Sequence, residues 1–101
     1  MWPFSRRREL SIPPDAGSKS TEVARVWLTD GAGMCVSLRD TALGDDFAAW
    51  GMVLVDLARH LANAHEQRTG IDARVTFERI VAGFDVEVRH PTDEVSGEAL
   101  K

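Results

Sequence analysis

Asp72-Ala73-Arg74-Val75-Thr76-Phe77-Glu78-Arg79-Ile80-Val81-Ala82-Gly83-Phe84-Asp85-Val86-Glu87-Val88-Arg89-His90 is the stretch whose reading decides the fold. As a helix it starts at Asp72, a cap residue. Ala73, Phe77, Ile80, Phe84 and Val88 then recur at spacings of 4, 3, 4 and 4 on one face. As strands, Val75, Phe77 and Val81 share a face and Ala82-Gly83 turns the chain. Phe84, Val86 and Val88 then alternate with Asp85, Glu87 and Arg89. Gly83 costs a helix interior about 1 kcal/mol relative to Ala, and the β-branched run suits a pleated surface, so local propensity opposes the longer periodicity. The spacing favours the helix. Pro91 ends the element under either reading, and 92–101 is a polar terminus.

The residues upstream are clearer. Phe47, Trp50, Leu54, Leu57, Leu61 and Ala64 recur at spacings of 3, 4, 3, 4 and 3, which draws one apolar stripe along a helix of about 20 residues. Asp45 and Asp46 supply an acceptor and negative charge at its start, Arg68 sits in its last turn, and Gly70 can take the left-handed position that stops it. Met52, Val53 and Val55 widen the stripe, so the first half of this helix calls for cover on more than one side. Before it, Val23, Ala24, Val26, Trp27 and Leu28 read as a strand. Asp30-Gly31-Ala32-Gly33 reads as a turn, and Met34, Val36 and Leu38 alternate with Cys35, Ser37 and Arg39 in a second strand. The expected architecture is α+β: an N-terminal β-hairpin packed on a long central helix, with a second helical segment. The alternative is ββαββ.

With 101 residues the chain suits one domain, expected over 21–90, between an arm at 1–20 and a C-terminal tail at 91–101. A composition of 44% apolar and 28% charged residues excludes wholesale disorder and collagen-like structure. The arm holds three of the four prolines and, with Arg6, Arg7, Arg8 and Lys19 against Glu9 and Asp15, carries +2. The net charge is -4, so the remaining residues carry -6. An acidic body excludes a dedicated nucleic-acid binder, and no nucleic-acid partner is expected. The arm's Trp2, Phe4 and three arginines could touch an anionic surface weakly, at about 1 kcal/mol per basic residue, but its composition suits a solubilising segment. The apolar run from Ala48 to Leu61 is interrupted by Asp56, Arg59 and His60 well short of the ~20 residues a membrane span needs. Arg6-Arg7 is followed by Ser11-Ile12-Pro13-Pro14-Asp15 where an export signal would need an apolar region. The single cysteine, Cys35, forms no intramolecular disulfide and no zinc knuckle, and a reducing cytoplasm is the expected compartment.

The run from Glu22 through Ala24-Arg25-Val26-Trp27 to Val36-Ser37-Leu38-Arg39 resembles a family of small bacterial proteins, found in alphaproteobacteria, with a domain of unknown function. So do Ala49-Trp50-Gly51-Met52-Val53-Leu54-Val55-Asp56-Leu57-Ala58-Arg59-His60, Gly83-Phe84-Asp85 and Pro91-Thr92-Asp93. The similarity spans residues 22–93. It implies a small soluble cytoplasmic protein whose third segment is helical, and it transfers no catalytic or binding residue.

Among side chains able to do chemistry, Asp56, Arg59 and His60 form the densest cluster, followed by His65 and Glu66. Asp56 and His60 are four apart on one helix face, so the carboxylate could hold an imidazole tautomer or the two could share a metal. His65 lies about 140° round the helix from His60, too far to join it on one ion, and a third ligand such as His90 is not indicated. The bland alternative is a polar helix face with a surface pair. Cys35 has no neighbouring Lys, His or helix start to lower its pKa. Asp30-Gly31-Ala32-Gly33 lacks the following Lys-Ser/Thr and helix of a phosphate loop. No cofactor or metal is indicated, and no catalytic residue is assigned.

A lone hairpin is marginal, and one or two helices leave its edges and second face unpaired. The expected function is therefore a non-enzymatic interaction or adaptor protein that acts as a homodimer with a protein partner, Trp27, Trp50 and Leu54 lying at the interface. The alternative is a small-molecule binding domain or minor enzyme with its pocket at Asp56, Arg59 and His60.

Overall fold

The computed structural model of the chain describes residues 9–92. They contain, in order, strands β1 (Ala24–Thr29) and β2 (Gly33–Leu38) and helices α1 (Ala48–Thr69) and α2 (Ala73–Arg89). The arrangement is α+β, a hairpin followed by two helices, and the ββαββ alternative falls because 73–89 is one helix. A boundary between Phe47 and Ala48 divides the residues into two compact units.

In the first unit β1 and β2 pair antiparallel, with Ala24 opposite Leu38, Val26 opposite Val36 and Leu28 opposite Met34. Because side chains alternate across a strand, those six apolar residues share one face of the sheet, and Arg25, Trp27, Cys35 and Ser37 share the other. The turn needs glycine. Gly31 and Gly33 have φ of 81° and 79°, a region that costs other L-residues about 1–2 kcal/mol, and the Ala32 N–H closes it onto the Thr29 carbonyl at 3.0 Å. Arg39 N–H donates to the Val23 carbonyl, extending the ladder beyond the strands. On the apolar face Val26, Met34, Val36 and Leu38 are all exposed. Residues 9–20 are exposed throughout and hold two short turns, Ala16 bonding back to Pro13 and Ser20 to Gly17. The Trp2-to-Arg8 part of the arm lies outside the described residues.

In the second unit the stop and start signals between the helices act as their chemistry requires. Gly70 has φ of 82° and donates its N–H to the Glu66 carbonyl at 2.7 Å, closing α1 in the left-handed conformation. Two residues later Asp72 caps α2, its carboxylate accepting from the Arg74 N–H at 2.7 Å. That cap, together with 17 residues of helical periodicity, outweighs the cost of Gly83 and the β-branched run. Arg89 pairs with Asp85 at 3.3 Å in the last turns, and the His90 N–H closes the helix on the Val86 carbonyl.

The leucine stripe of α1 is not where the helices meet. Ala58 and Ala62 are the buried apolar residues among those described, and Ala73, Thr76, Phe77 and Ile80 of α2 are half-buried. Leu54, Leu57 and Leu61 remain 50%, 55% and 54% exposed. The reason is steric. Two helices approach closely where side chains are small, and at 100° per residue Leu54, Leu61, Trp50 and Leu57 lie between about 40° and 100° to one side of Ala58. The stripe therefore flanks the helix contact instead of forming it.

Candidate functional site

Asp56, Arg59 and His60 occupy the middle of α1, and each is exposed. The expected pairing of the Asp56 carboxylate with the His60 ring is replaced by another: His60 Nδ1 donates to the Asp56 main-chain carbonyl at 2.8 Å. In the neutral imidazole this fixes the proton on Nδ1 and leaves the Nε2 lone pair as the acceptor. Arg59 points elsewhere. Its guanidinium lies 4.5 Å from the centroid of the Phe77 ring on α2, so a residue expected to bind a ligand also ties the two helices together. No sequence signal marks Phe77 for this role, because the contact crosses between helices that no spacing relates.

The flanking groups are used locally. His65 Nδ1 accepts from Arg68 Nη2 at 3.2 Å, which requires the lone pair on Nδ1, and the His65 carbonyl accepts from Thr69 Oγ1 at 2.8 Å. His90 stands at the far end of α2 as its C-terminal cap. Among the described residues no group of three or more His, Cys, Asp or Glu is placed to hold a metal ion. Cys35 is exposed on the hairpin across from Trp27. Arg25 is hydrogen-bonded and ion-paired to Glu22, first the hydrogen bond and then the charge holding its pKa above the ordinary arginine value.

Two shallow depressions lie elsewhere. One, on the hairpin, is lined by Glu22, Arg25, Trp27, Ser37 and Arg39. The other, along α2, is lined by Phe77, Val81 and Phe84 with Glu78 and Asp85 at its rim. Neither includes Asp56, Arg59 or His60. Of the residues expected at an interface, Trp27 and Trp50 are half-buried and Leu54 is exposed. The indole Nε1 of Trp50 is buried and has no hydrogen-bond partner among the described residues.

A β-hairpin followed by a helical hairpin, with no membrane-crossing helix among the described residues, defines a small α+β protein. The family model for "Domain of unknown function (DUF5076)" matches residues 9–92, and the chain belongs to that family. It is similar to a solved structure from Rhodopseudomonas palustrus CGA009, described as that of a "putative pyruvate dehydrogenase", with a TM-score of 0.65 and 29% sequence identity. That similarity covers 92% of this chain and 95% of the other. The comparison with curated proteins finds no match.

Proposed function

We propose that this chain is a non-enzymatic interaction protein that works as a homodimer and engages a further protein partner, in the cytoplasm. The observation that carries the reading is the apolar surface left uncovered within each unit: Val26, Met34, Val36 and Leu38 on the hairpin, and Leu54, Leu57, Leu61, Val81, Phe84 and Val88 on the helices. Contiguous apolar faces of this kind are characteristic of surfaces that meet other proteins. A domain of this length also gains most from association, because it buries a small fraction of its unfolded surface alone. Sedimentation equilibrium at micromolar concentration tests it. A mass of about 22 kDa, twice the 11.1 kDa of the chain, is expected, and a mass near 11 kDa overturns the homodimer.

The second reading is a ligand site at Asp56, Arg59 and His60. In its favour, two of the three side chains are already held, His60 by the Asp56 carbonyl and Arg59 by the Phe77 ring. The Arg59 guanidinium is a group suited to a small anion. Titration with inorganic phosphate or a short dicarboxylate, followed by backbone amide shifts, should then perturb α1, and Arg59→Ala should abolish the response. Identical shifts in the variant would remove this reading without touching the first.

A further inference from the structure

We propose that the leucine stripe of α1 is the contact between two copies of this chain, the α1 helices running antiparallel about a twofold axis between residues 55 and 56; this rests on the homodimer reading above. Trp50, Leu54, Leu57, Leu61 and Ala64 follow one another at 4, 3, 4 and 3, the alternation that keeps a seam facing a partner helix at a shallow crossing angle. An axis at that point sets Leu54 opposite the partner's Leu57 and Trp50 opposite the partner's Leu61. Large apolar side chains then meet in every central layer.

Placement relative to α2 also fits. The stripe lies to one side of the Ala58 and Ala62 face, so a second helix can dock on it without displacing α2, as each helix of a four-helix bundle touches two neighbours. The charges are compatible. Asp56 and Arg59 lie on the far side of α1 from the stripe, and His60 lies at its edge. The apolar depression on α2 is rimmed by Glu78 and Asp85, and a twofold axis there would bring like charges together.

The leucines supply part of the area. A dimer interface takes roughly 800 Å² from each partner, of which three half-exposed leucines supply on the order of 300 Å². Trp50, Val53, Ala64 and the aliphatic stems beside them, along a helix of 22 residues, extend the strip in both directions.

The experiment uses the full chain carrying Cys35→Ser. Sedimentation equilibrium is compared with and without Leu57→Glu, and the pair distance between spin labels is measured on Gln67→Cys, at an exposed position. Leu57→Glu is expected to weaken dimerisation at least about 100-fold, because it sets a carboxylate in an apolar layer. Antiparallel helices place the two labels about 35 Å apart along the axis at 1.5 Å per residue. If the starting chain is a monomer, the homodimer and this contact both fail. If it dimerises with labels closer than about 20 Å, or if a folded Leu57→Glu dimerises as before, this contact alone is overturned and the homodimer stands. Should circular dichroism show Leu57→Glu unfolded, the label distance decides.

Discussion

Arg59 on α1 sets its guanidinium 4.5 Å from the centroid of the Phe77 ring on α2, a cross-helix contact between a cation and an aromatic face. Such a contact contributes about 0.5–1 kcal/mol where the cation is exposed, as Arg59 is. Arg59→Ala and Phe77→Leu are each expected to destabilise the helical hairpin. In a double-mutant cycle read by urea unfolding, the coupling should be about 0.5–1 kcal/mol. A coupling of zero would mean that the ring and the guanidinium are adjacent without attraction.

On the α1 side the seam between the helices is made of small side chains, and that sets its tolerance. Ala62 is 1% exposed, and Leu in its place must push the helices apart or twist into a strained rotamer. Ala62→Leu is expected to destabilise by about 1–3 kcal/mol, although Leu is a good helix former. Thermal unfolding checks it, and an unchanged midpoint would place the close approach elsewhere.

What the sequence disclosed and what it hid follow from the range of each signal. Asp72, Gly70 and the Asp30-to-Gly33 turn act on their own neighbours, so their chemistry was readable from the chain and each does in the structure what its type requires. The element over 73–89 was readable as a helix only because its periodicity is long, since Gly83 and the valines pull the other way. The helix contact left no such mark in the sequence. Periodicity marks the broadest apolar stripe, and in α1 that stripe belongs to the leucines, whereas the buried positions belong to alanines that no pattern of hydrophobicity singles out. His60 shows the same limit at a site. A spacing of four brings it near both the carboxylate and the main-chain carbonyl of Asp56, and spacing alone does not say which one the ring chooses.

Between the helices, Gly70 and Asp72 make separable contributions. A Cβ added at Gly70 meets nothing within 4 Å, so Gly70→Ala is penalised only by the left-handed backbone, at about 1–2 kcal/mol. Gly70→Asn should recover part of this, because Asn enters that region more readily. Asp72→Ala is expected to cost about 1 kcal/mol through loss of the bond to the Arg74 N–H. Urea unfolding of the three variants gives the order, and equal losses for Ala and Asn at position 70 would point to a steric rather than a conformational origin.

Trp50 offers a test in which a substitution gains stability. Its ring belongs to the α1 stripe, but its Nε1 is buried without a partner among the described residues, and a donor left in that state costs about 1–3 kcal/mol. Trp50→Phe keeps an aromatic ring in place and removes the donor, at the expense of some apolar area. The relief of the unsatisfied N–H is the larger effect. The variant should be at least as stable as the parent, by up to about 1 kcal/mol, in contrast to the losses usual when a half-buried tryptophan is shortened. Chemical unfolding followed by far-ultraviolet circular dichroism measures it independently of the fluorescence that the substitution removes. A clear loss of stability would show that the indole N–H is satisfied in solution, and that its hydrogen bond contributes to holding the start of α1.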